Sequence, residues 1–138
     1  MILTALVVLV AALTSAWYLS YRKSRKLHIG FWTPSTKNMV YGLLSVLVTG
    51  GLFCLILIYQ GYFRIIASVM LLFYGIALIN ASKYSKQDIK TLGYTEILLG
   101  LLAALWLNHG LLFWTIGFGL VHIVYGILMY VKYDLKAN

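Results

Sequence analysis

Two ionisable residues stand inside otherwise apolar sequence: Glu96 in GYTEILLGLLAALWLNHG (93–110) and His122 in GFGLVHIVYG (117–126). The chain has only three acids and three histidines, so neither is there by abundance. A carboxyl and an imidazole together can share or pass a proton near neutral pH. An isolated charge at the middle of a membrane helix costs at least ~2.5–3.5 kcal/mol on insertion scales, and a Glu–His pair lowers that cost. The two residues are equally far in sequence from His109, where a turn is expected. At about 1.5 Å per helical residue both then lie some 20 Å below that turn, at one depth on antiparallel neighbours. Glu96 shares a stripe with Gly93 and Gly100, and His122 shares one with Gly119 and Gly126. Packing those stripes together places the side chains roughly 2.6–3.2 Å apart, or one water apart. Tyr125 joins them as a candidate proton or ligand group. The alternative is structural: Glu96 favouring the positive end of its helix, and His122 neutral, bonded to a tyrosine or a backbone carbonyl. No metal or cofactor is expected. Zinc takes three or four ligands, and His28 and His109 fall on opposite predicted membrane faces.

The elements that must hold this pair follow from composition. Of 138 residues, 62% are hydrophobic and 10% charged, against about 45–50% and 25% in soluble domains. Lipid is therefore the expected solvent. At about 20 residues per span the chain has room for five transmembrane helices and little else. The fold class is all-α integral membrane, with a single membrane domain over 1–138. It comprises an uncleaved N-terminal helix (1–20), a basic cytoplasmic linker (21–38), a first hairpin (39–81), a loop (82–91), a second hairpin (92–131) and a tail (132–138). Pro34 is expected to break any helix, with Ser35, Thr36 or Asn38 capping the next. Cys54, the lone cysteine, lies in an apolar run and forms no intrachain disulfide.

The net charge of +8 excludes nucleic acid as a partner, because the basic residues sit in short segments between apolar runs. All of the 11 Lys and Arg except Arg64 fall on one side of a five-span arrangement. The positive-inside rule then puts the N-terminus outside and the C-terminus in the cytoplasm of the plasma membrane. Arg22, Lys23, Arg25 and Lys26 are read as contacts to lipid headgroups, and Arg64 as an interfacial anchor.

The hairpins read as a repeat. Gly51 and Gly61 answer Gly100 and Gly110, and FYGI (73–76) answers VYGI (124–127). Both copies enter from the cytoplasm, so the repeat is parallel, about an axis along the membrane normal. Leu47 and Leu71 occupy the positions of Glu96 and His122 in the first copy, so the polar pair is not needed to build a hairpin. Gly42, Gly75, Gly93, Gly100, Gly119 and Gly126 are expected at helix contacts, where small residues let backbones approach. The stretch EILLGLLAALWLNHGLLFWTIGFGLVHIVYGILMY (96–130), with its partner hairpin, resembles the HdeD-like acid-resistance membrane proteins over about residues 39–131. That resemblance implies a plasma-membrane protein tied to acid stress and supplies no catalytic residues. The family typically has three hairpins, where this chain has one helix and two.

Three functions are weighed. The first is a non-enzymatic accessory, regulatory or stress-linked membrane protein that works by helix packing with itself, as a homo-oligomer, or with another membrane protein. The second is a proton-coupled transport or proton-translocating unit in a homo-oligomer, using Glu96 and His122. The third, a lipid-modifying enzyme, is disfavoured by the absence of paired carboxylates or a G-x-S-x-G nucleophile motif.

Overall fold

The computed structural model describes residues 32–136 throughout, and before them residues 7, 10, 11, 14, 15, 17–19, 21, 22, 25, 26, 28 and 30. It divides into two compact units, Met1–Lys37 and Asn38–Asn138. In the first unit the described residues between 7 and 26 are all helical, and Arg22, Arg25 and Lys26 are exposed. Lys23, with much of the expected span over 1–20, lies outside the described residues.

The described residues are helical, with no strand. Helix α1 is Pro34–Tyr59, α2 is Ile66–Ser82 and α3 is Gln87–Leu105. The last segment, α4, is α-helical over Gly110–Thr115, π-helical over Ile116–Val121, α-helical over His122–Met129 and π-helical over Tyr130–Leu135. Three helices are long and apolar enough to cross a membrane: Pro34–Tyr59, Phe63–Ser82 and Leu107–Leu135. Helix α3 is not among them, because it carries Asp88, Lys90 and Glu96.

Pro34 opens a helix rather than breaking one. It takes the first helical position, where a missing N–H costs nothing and the fixed φ suits the helix. Thr33 is the cap: its Oγ1 accepts from the Thr36 backbone N–H at 3.2 Å and its carbonyl accepts from Lys37 at 3.0 Å. At the other end, Tyr62 N–H donates to Leu57 O (2.9 Å) and Gly61 N–H to Ile58 O (3.0 Å), a Schellman closure. Gly61 carries φ +83, which a side chain would strain.

The tightest packing joins α2 to α3, across the short 83–86 loop and so between the two expected hairpins rather than within either. A Cβ on Gly75 would stand 2.6 Å from Gly93 O, and one on Gly93 2.7 Å from Gly75 O. Ser68 Oγ donates to Gly100 O at 2.6 Å, and Ala77, Ala81 and Ala103 are buried nearby. Backbones this close gain dispersion contact that lipid cannot match. Helix α1 meets α2 through fewer points: Asn80 Nδ2 donates to Gly42 O at 3.2 Å, and Gly50 faces the Phe73 ring. The outward faces of α1 and α4, including Leu52, Leu55, Leu120 and Ile123, are exposed and apolar, which is compatible with a lipid-facing surface.

The glycines paired by the repeat do not share environments. Gly61 is a left-handed cap whereas Gly110 is right-handed and starts a helix. Gly75 is wedged against Gly93, whereas a Cβ on Gly126 would meet nothing within 4 Å. Gly119 is equally open. The expected packing of a Gly93–Gly100 stripe on a Gly119–Gly126 stripe is therefore corrected: the first stripe faces α2, and the second faces away from the described helices.

Candidate functional site

Glu96 and His122 do meet, by a different route. The Glu96 side chain is completely buried, and His122 Nδ1 lies 3.4 Å from its Oε1. Among the described residues, neither Glu96 oxygen has a hydrogen-bond partner. Glu96 points between α2 and α4, against Leu71 and Gly117. A Cβ on Gly117 would stand 2.6 Å from Glu96 Oε2 and 2.7 Å from Leu71 Cδ2, so a larger residue there would displace the ends of both side chains.

The π-turn makes this arrangement. In a π-helix the repeating bond joins residues i and i+5, so Gly117 and His122 come to one face, which a regular α-helix would separate. His122 Nδ1 lies 2.8 Å from Gly117 O, and its Nε2 lies 2.9 Å from the Tyr74 hydroxyl. When His122 is neutral, its Nδ1–H donates to the Gly117 carbonyl and Tyr74 O–H donates to Nε2. When His122 is an imidazolium, Nε2–H donates to the Tyr74 oxygen instead. Phe118 stacks on the imidazole, with centroids 5.8 Å apart and planes at 14°, and fixes its orientation.

Tyr74, Phe118, Cys54, Met70 and Phe73 also line an apolar cavity of about 270 Å³ beneath α1. The phenol thus has the imidazole at its tip and the cavity along its ring.

Tyr125 takes no part in the cluster. It lines a small recess with Asp88, Thr91 and Lys132 near the ends of α3 and α4. There Lys132 Nζ donates to Asp88 Oδ1 at 3.0 Å and Oδ2 at 3.1 Å, and the Tyr133 hydroxyl donates to Oδ2 as well. Lys86 Nζ stands 3.4 Å from the centre of the Tyr133 ring. The Tyr133 hydroxyl first, then Lys132, hold the Asp88 carboxyl below the usual carboxylate range. Asp88 also sits in the first turn of α3, where a negative charge suits the helix dipole.

Sequence reasoning missed Gly117; it gave His122 a tyrosine or a backbone carbonyl as its structural partner without naming Tyr74 or Gly117. A stripe counted at 3.6 residues per turn selects Gly119, and no pattern in residue types announces a π-turn. Among the described residues no three potential metal ligands converge. In comparisons with known proteins, no family model, no curated protein and no solved structure matches the chain.

Proposed function

We propose that the chain is a small multi-pass plasma-membrane protein without enzymatic chemistry, an accessory or stress-linked subunit whose helix packing responds to protonation of the Glu96–His122–Tyr74 cluster. One observation carries this reading: a fully buried carboxyl with no donor among the described residues, 3.4 Å from an imidazole. A buried polar group without a bond is costly, and an ionisable residue at membrane depth is a functional candidate by default. The basic loops favour an N-terminus outside, a C-terminus inside and five spans. The resemblance of the hairpins to HdeD-like proteins supplies the acid-stress setting.

The cluster holds one proton at no net charge, either as carboxylic acid with imidazole or as carboxylate with imidazolium. A second proton makes it cationic. With His122 doubly protonated, Tyr74 becomes an acceptor and its hydroxyl proton is free to find another partner. Because Tyr74 borders the cavity under the lightly held α1, that reversal reaches helix packing. The partner is a second copy or another membrane protein, docked on the exposed faces of α1 and α4.

Cross-linking of the native complex in lipid, at about pH 5 and about pH 7.5, tests this. The expected yield changes between the two conditions in the natural chain and is constant in Glu96→Gln. A yield independent of pH in both contradicts the proposal. The second reading, proton translocation, is favoured by Tyr74 linking the cluster to the cavity. It requires that reconstituted vesicles acidify under an imposed potential and that Glu96→Gln abolish the flux.

A further inference from the structure

At the end of the bundle opposite the basic loops, the α1–α2 turn and the α3–α4 turn are latched together. Arg64, in the short 3-10 turn Phe63–Ile65, donates from its guanidinium to Asn108 Oδ1 in the facing 3-10 turn Leu107–His109. The turns close on Gly110, where a Cβ would stand 3.3 Å from Ala67 Cβ. Below this latch opens a groove of about 550 Å³, walled by Phe63, Ile66, Met70, Leu111 and Trp114. That volume falls within the range of about 300–1,000 Å³ of built ligand sites. The only charged residue on its lining is Arg64, and none is acidic.

We propose that this groove binds one anionic phospholipid, with its phosphodiester on Arg64 and Asn108 and an acyl chain between Ile66, Met70 and Leu111. A guanidinium has five N–H donors in a fixed fork. The bond to Asn108 aims it and leaves the others for phosphate oxygens, which arginine binds in bidentate fashion. The Asn108 amide NH₂ supplies a further donor to the same group. The walls beneath are apolar and open outward, which suits an acyl chain better than a soluble anion. With no carboxylate at the mouth, a net negative headgroup is preferred over a zwitterionic one, whose ammonium would meet the arginine. The bound lipid joins the two turns that precede α2 and α4. It does not depend on the proton reading.

Trp114 reports on the groove directly. Trp17→Phe, Trp32→Phe and Trp106→Phe leave it as the sole tryptophan, in vesicles of phosphatidylcholine with added lipid brominated on the acyl chain. Brominated phosphatidylglycerol is expected to quench Trp114 at about fivefold lower mole fraction than brominated phosphatidylcholine, the factor for one basic residue at about 1 kcal/mol. Arg64→Gln should bring the two lipids to parity, and Arg64→Lys should keep part of the preference. If Arg64→Gln does not fold, competition decides: unbrominated phosphatidylglycerol should restore the emission, and inorganic phosphate should not. Equal quenching by both lipids, a preference that survives Arg64→Gln, or displacement by inorganic phosphate overturns the proposal.

Discussion

Glu96 and His122 are the residues on which the account turns, and each can be altered without altering the other. Glu96→Gln keeps the side chain's shape and removes its charge, so the fold should persist. His122→Ala removes both the imidazole and the acceptor of the Tyr74 hydroxyl, and leaves the buried carboxyl alone. Removing one member of a buried pair costs about 3–5 kcal/mol when the other is charged. We therefore expect His122→Ala to destabilise the natural chain more than the Glu96→Gln background, with a coupling of about 0.5–3 kcal/mol in a double-mutant cycle read by denaturant unfolding in detergent. Additive effects would mean the two side chains do not interact. The depth match of these residues was legible in the sequence, because it rests only on helical rise and the position of a turn. Their connection through Gly117 and Tyr74 was legible only as far as a histidine bonded to some tyrosine or backbone carbonyl. It depends on a π-turn, which shifts which residues share a face, and on Tyr74 reaching across from a helix whose own sequence gives no sign of it.

At the scale of elements, small residues divide into those that helices touch and those they do not. Gly75→Ala and Gly93→Ala each push a methyl to within 3 Å of backbone in a helix that cannot move without losing the Ser68–Gly100 bond. Each should cost about 1–3 kcal/mol, as overpacking does. Gly119→Ala and Gly126→Ala meet open space and should change stability by less than about 1 kcal/mol, in the direction of helix propensity. Unfolding midpoints for the four variants test this division, and equal losses at all four would contradict it. The sequence shows that glycines recur at helical spacing, but spacing does not say which of two neighbours a stripe faces. The same scale holds the link between the start of α3 and the end of α4. Asp88 has a folded-state pKa below its unfolded value. Its stabilising contribution is therefore present above about pH 4, the unfolded carboxyl value, and is lost as pH falls through the lower folded value. The exposed site makes that contribution small and sensitive to salt. Asp88→Asn should lower the melting temperature slightly at neutral pH, and the difference should vanish in strong acid. A difference that grew with acidity would reverse the sign.

For the whole molecule, the described helices divide into apolar faces that stay open and a buried polar cluster, an arrangement compatible with lipid as the solvent. Cysteines placed near Gly61 and His109 should react with impermeant reagent from outside, while those at Ser85 and Lys136 should not. The reverse pattern would invert the topology and move the Arg64 groove to the cytoplasmic leaflet. The helical class and the apolar, membrane-length segments were read from composition alone, since 62% hydrophobic residues leave few other solvents. The closeness of α2 to α3 was hidden, because the pairing of repeats drew attention to the hairpins on either side. Most direct for the central claim is infrared difference spectroscopy of the protein in lipid, recorded from about pH 5 to about pH 8. The account predicts a protonated-carboxyl band that changes with pH, disappears in Glu96→Gln and shifts in His122→Ala. A spectrum in which no carboxyl band titrates, or in which the band persists in Glu96→Gln, would contradict it.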